Sequence, residues 1–118
     1  MAEKEDEKKN GLFKSEGIYE DGPWKGLHWG EFTYEGVQYR MRQNTVDEGD
    51  TNYDACFDEK TQRFNARLNS RLNLSTAIVT PETTVDDMGA WSGVKLVALL
   101  RAWDKLNLLP AADTEGND

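Results

Sequence analysis

One cysteine and one histidine, Cys56 and His28, are all the chain offers to thiol or imidazole chemistry. A lone cysteine excludes an internal disulfide, and a histidine set among the aromatics from Trp24 to Trp29 leaves a serine or cysteine nucleophile with no evident base. There is no zinc signature and no phosphate-cradling glycine loop. No apolar run approaches the roughly 20 residues that span a bilayer, and the mostly charged first ten residues lack the apolar segment of a secretory signal. Cations are also in short supply. The 14 lysines and arginines stand against 22 acidic residues, a net charge of -8, which repels a phosphate backbone and an anionic membrane surface alike. The expectation is a cytoplasmic protein without enzymatic activity, cofactor or metal, whose partners are neither nucleic acid nor membrane.

The 118 residues suit one domain with a modest core. Residues 1–15 read as a disordered charged arm, 16–110 as a single α+β domain, and 111–118 as a flexible acidic tail. From Gly11 to Gly26, four glycines, Pro23 and the rings of Phe13, Tyr19 and Trp24 predict an irregular segment that lies against the domain through those rings. A hairpin follows. Trp29 to Tyr34 and Val37 to Arg42 are β-rich runs joined by Glu35-Gly36. Alternation puts Phe32, Tyr34, Val37, Tyr39 and Met41 on one face, and Glu31, Thr33, Gln38, Arg40 and Arg42 on the other, with Glu31 opposite Arg40 or Arg42.

Helical pattern takes over from there. Thr45 and Glu48 have the spacing of a capping box, opening a short acidic helix that runs to about Phe57. A longer helix is predicted from about Lys60 to Val79, with Phe64, Leu68 and Leu72 as its stripe and Leu74 and Ile78 beside them. Thr84 caps a short helix carrying Asp86 and Asp87, and Ser92 caps the strongest one, from Gly93 to about Leu109. Its apolar stripe is Leu96, Leu99, Leu100, Trp103 and Leu106, with Val97 widening it. The architecture expected is thus an N-terminal β-hairpin packed on a small bundle of three or four helices.

One cluster and one lone thiol invite chemistry and fail on inspection. Asp50, Asn52 and Asp54 start like a calcium loop, but Ala55 stands where the turn glycine belongs and Thr61 where the closing carboxylate belongs. Cys56 reads as a small side chain on a half-buried helix face. The four tryptophans are the most unusual feature, because such rings serve both cores and partner anchors. Candidate partner-binding residues are Trp24, Trp29, Met88, Trp91, Leu96 and Trp103, centred on the solvent side of the helices from Pro81 to Leu109.

In order, the chain presents Tyr34-Glu35-Gly36-Val37-Gln38-Tyr39-Arg40-Met41-Arg42, then Thr45-Val46-Asp47-Glu48. An Arg/Leu helix ends in Ala77-Ile78-Val79-Thr80-Pro81, Thr83-Thr84-Val85-Asp86-Asp87-Met88 follows, and a leucine-rich helix closes with Leu106-Asn107-Leu108-Leu109-Pro110. Across about residues 29–110, that succession resembles the small tail assembly chaperones encoded beside the tape-measure protein in siphophage and prophage genomes. The resemblance implies a protein absent from the mature virion that binds the tape-measure protein, keeps its apolar helices soluble and helps recruit tail-tube subunits. Its motifs are degenerate, and it carries over no residue-level site. Self-association stays open, and so do two other readings: an acidic inhibitor that mimics DNA, and a small structural subunit of head or tail.

Overall fold

The computed structural model describes residues 13–110. In chain order it has β1 (Ser15–Ile18), β2 (His28–Tyr34), β3 (Val37–Arg42), α1 (Val46–Ala55), β4 (Phe57–Asp58), β5 (Arg63–Phe64), α2 (Ala66–Ala77), β6 (Ile78–Thr80), α3 (Val85–Gly89) and α4 (Gly93–Asn107). The α+β class expected from the sequence is observed, with a larger sheet than a hairpin. Strands β1, β2, β3 and β6 form one antiparallel sheet in that order, while β4 and β5 make a small separate ribbon.

The hairpin β2–β3 pairs Phe32 with Tyr39 and Glu31 with Arg40. Both turn residues, Glu35 and Gly36, have positive φ, as a two-residue hairpin turn with the twist of its strands requires. Alternation then sends Phe32, Tyr39 and Met41 into the core. Val37, beside the turn, is exposed instead, while Tyr34 opposite it packs against the core.

Phe13 and Lys14, within the segment read as a charged arm, contact the domain. Phe13 packs against the core with its ring directly over Gly30, so close that a Cβ on Gly30 would sit 2.6 Å from it. The amide of Lys14 donates to the carbonyl of Glu31 at 2.7 Å, and Ser15 then begins β1. The rest of the arm and the tail at 111–118 lie outside the described residues.

The helix predicted over residues 60–79 is shorter at both ends. Asn65 accepts from the amide of Leu68 and starts α2 there, while Arg63 and Phe64 pair with Asp58 and Phe57 in the ribbon. At the other end the β-branched run Ile78-Val79-Thr80 leaves the helix and joins the sheet as β6 beside β3. Phe64 is consequently exposed, and the inward residues of α2 are Leu74 and Ala77. The other helix starts fall where expected: Thr45–Glu48 and Thr84–Asp87 both close as reciprocal capping boxes, and Ser92 accepts from the amide of Lys95.

One face of the sheet supplies Phe32, Tyr39, Met41 and Ile78 to a core completed by Leu74 of α2, Met88 of α3, and Leu99, Ala102 and Leu106 of α4. Met41, Leu74, Leu99 and Leu106 are wholly enclosed, and each such side chain stabilises the fold by roughly 1.5–3 kcal/mol relative to exposure. Gln43, buried just past β3, fastens the far end of α4: its Nε2 donates to the carbonyls of Leu106 and Leu109, both at 2.9 Å. The Leu106 carbonyl also accepts from the Leu109 amide at 3.2 Å, so Gln43 adds a further donor there and gives the Leu109 carbonyl, past the helix end, its partner.

Candidate docking surface

Helix α4 is committed on one side only. Leu99, Ala102 and Leu106 point into the core, and Leu96, Leu100 and Trp103 pack against its border. At about 100° per residue, Val97 lies about 180° around the helix from Leu106, and the structure agrees: Val97 is 48% exposed, Val94 72% and Leu108 79%. Gly93, Val94, Val97, Ala98 and Arg101 line a shallow depression of about 330 Å³ on this outer side. Arg101, Asp104 and Lys105 are exposed along the same helix. The expectation that Val97 widens the inward stripe is therefore corrected, since its position turns it to solvent.

The six candidates drawn from the sequence do not form one surface. Met88 is 2% exposed and belongs to the core, so it presents nothing to a partner. Trp103 is half-buried and tied down through Nε1, which donates to Oδ1 of Asn44 at 3.0 Å. Leu96 is half-buried against the core border. Trp91, at the joint between α3 and α4, meets the Tyr39 ring edge-on at 6.2 Å and carries the Lys95 ammonium 4.4 Å from its ring centre. Of the six, Trp91 and Leu96 lie nearest in sequence to the exposed stripe.

Trp24 and Trp29 lie elsewhere. Alternation in β2 and β3 turns Trp29, Glu31, Arg40 and Arg42 to the sheet face away from α4. There the Arg40 guanidinium stacks 3.9 Å from the Trp29 ring centre and pairs with Glu31 at 3.1 Å, while Arg42 lies 4.2 Å from the Trp24 ring centre. Arg42, expected on a wet face, is buried: Glu48 of α1 takes both of its terminal nitrogens, and the Thr76 carbonyl accepts at 3.3 Å. Hydrogen bonding from Arg42 holds the Glu48 carboxyl below the usual carboxylate range, against a partly opposing effect of burial.

The residues screened for chemistry have structural partners. His28 places Nε2 2.7 Å from the carbonyl oxygen of Pro110, and its amide donates to Gln43. Cys56 is buried at the end of α1, and desolvation pushes its thiol pKa up, away from reactivity. Asp50, Asn52 and Asp54 are helical residues of α1 rather than a loop, and no group of three metal-capable side chains occurs among the described residues. A second open depression borders the β4–β5 ribbon, where Tyr53 and Phe64 stack at 4.5 Å beside Arg63 and Arg67.

Val94, Val97 and Leu108 were missed as surface residues. The signal was available: a helical wheel separates them from Leu99 and Leu106, but aliphatic side chains on an amphipathic helix are assigned to its core face by default. Comparison of the chain with protein-family models, with curated proteins and with solved structures found no significant match.

Proposed function

We propose that the chain is a protein-binding assembly factor of the tail assembly chaperone kind. It receives an amphipathic helix of a tape-measure protein on the outer face of α4, keeps that helix soluble, and helps bring tail-tube subunits to it. One observation carries the reading: Val94 and Val97, with Leu108 at the C-cap, stand exposed on a helix whose opposite side already fills the core. A helix face of this kind gains by covering its aliphatic side chains with the apolar face of another helix. The tape-measure and tail-tube identities are supported by the succession of segments from Tyr34 to Pro110, and the same resemblance supports action in the bacterial cytoplasm. No helix among the described residues is long and apolar enough to cross a membrane.

A DNA mimic would need carboxylates at phosphate-like spacing over a rigid face. Asp47, Asp50 and Asp54 make only one short exposed row on α1, and Glu48 in their midst is turned inward onto Arg42. The exposed stripe of α4 has no part in that reading. A structural head or tail subunit would use the stripe, but as a permanent contact within the particle.

Co-expression tests the proposal. A tape-measure fragment should gain soluble yield with the wild-type chain, less with Trp91→Ala, and none with Val94→Glu and Val97→Glu combined. Unchanged yield with the wild-type chain overturns the reading.

A further inference from the structure

We propose that the free protein pairs with a second copy of itself through the outer face of α4. The two helices run antiparallel about a two-fold axis, and Arg101 of each copy meets Asp104 of the other. Three observations combine. Val94 and Val97 of the helix and Leu108 at its C-cap are exposed apolar side chains. Arg101 and Asp104 lie between Val97 and Leu108 on the same side and are exposed. The ion pairs among the described residues are Arg40–Glu31 and Arg42–Glu48, so neither Arg101 nor Asp104 is in an ion pair among those residues.

The choice of a second copy follows from register. In an antiparallel two-fold pair, residues that face each other are equidistant from the axis along the helix. Arg101 and Asp104 are centred between Ala102 and Trp103, and so are Val97 and Leu108. One register therefore pairs both charges with opposite charges and both aliphatic side chains with each other. An unrelated partner gives no reason for the apolar pair and the charged pair to share a centre; self-complementarity does. The remainder of the chain, at net charge -8, opposes association at long range, and physiological salt screens that repulsion.

Pairing occupies the stripe assigned above to a tape-measure helix, so a second copy and that helix exclude each other. It is tested with no tape-measure fragment present and stands or falls separately. The experiment is sedimentation velocity on the full chain from micromolar to submillimolar concentration at physiological salt. Wild type should show a concentration-dependent dimer. Arg101→Glu alone, and Asp104→Arg alone, each set like charges together twice and should raise the dimer Kd by at least about tenfold. Mixed in equal amounts, the two variants should form a heterodimer of near wild-type affinity, because every reversed charge then faces an opposite one. That rescue separates loss of pairing from loss of folding, and Leu108→Glu should weaken the dimer without being rescued by either variant. A wild-type monomer across the whole range overturns the proposal. So does a dimer whose Kd is indifferent to both charge reversals, which would place the contact on another face.

Discussion

Arg42 and Glu48 meet in a two-pronged contact, Nη1 to Oε1 at 2.9 Å and Nη2 to Oε2 at 2.8 Å, with the guanidinium side chain only 4% exposed. The pair joins the end of β3 to the first turn of α1. Glu48 also accepts from the Thr45 amide at 2.9 Å, so one carboxylate caps a helix and neutralises a buried cation.

Glu48→Gln should lower stability by about 2–4 kcal/mol at neutral pH, because it leaves an enclosed guanidinium without its counter-charge. Since the folded-state pKa of Glu48 lies below its unfolded value, the stabilisation is fully present above the ordinary carboxylate range and disappears as pH falls through the depressed value. Urea denaturation should show the wild-type and variant curves converging as pH falls below the ordinary carboxylate range. A gap that persists undiminished in acid would mean that the charge pair is not its source.

Gln43→Ala should cost about 1–3 kcal/mol, since the carbonyl of Leu109 and the amide of His28 lose their partner together and the carbonyl of Leu106 loses one of its donors. Amide hydrogen exchange would show the loss concentrated in the last turn of α4. Uniform loosening of the whole sheet would assign Gln43 a different role.

Gly30→Ala should destabilise by about 1–3 kcal/mol, because the new methyl group and the Phe13 ring claim the same space. Phe13→Ala in the same chain should relieve most of that clash, so the two changes should be strongly non-additive in thermal melts. Simple additivity would place Phe13 away from the sheet.

Val97→Glu should leave stability within about 0.5 kcal/mol of wild type, as exposed substitutions do, while weakening whatever association the α4 stripe supports. Met88→Ala should do the reverse and lose about 2–5 kcal/mol, because it empties a core position. Comparing melting temperature with binding for both variants checks the assignment of Met88 to the interior.

The features legible in the sequence are those set by local chemistry. Glu35-Gly36 fixes a hairpin turn, Thr45–Glu48, Thr84–Asp87 and Ser92 fix helix starts, and the leucine spacing of α4 fixes its inner face. What escaped depends on distant neighbours. Ser15–Ile18 is an edge strand with mostly exposed side chains, so no alternation announces it. Ile78-Val79-Thr80 continues an apolar helical pattern, and only the free edge of β3 makes it a strand. Arg42 sits among outward residues of the hairpin, yet α1, α2 and Trp24 close over it. Val97 reads as part of the inner stripe of α4 because hydrophobicity alone does not say which flank of a helix a body covers.

The sheet is finished late. Strand β3 ends at Arg42, yet its outer neighbour arrives with Ile78, and the aliphatic roof over both comes from Leu99, Ala102 and Leu106. A nascent chain emerging from the ribosome would therefore carry Phe32, Tyr39 and Met41 incompletely covered until α4 has followed them out, open to proteases and holding chaperones. Protection should come abruptly, once α4 has cleared the exit tunnel.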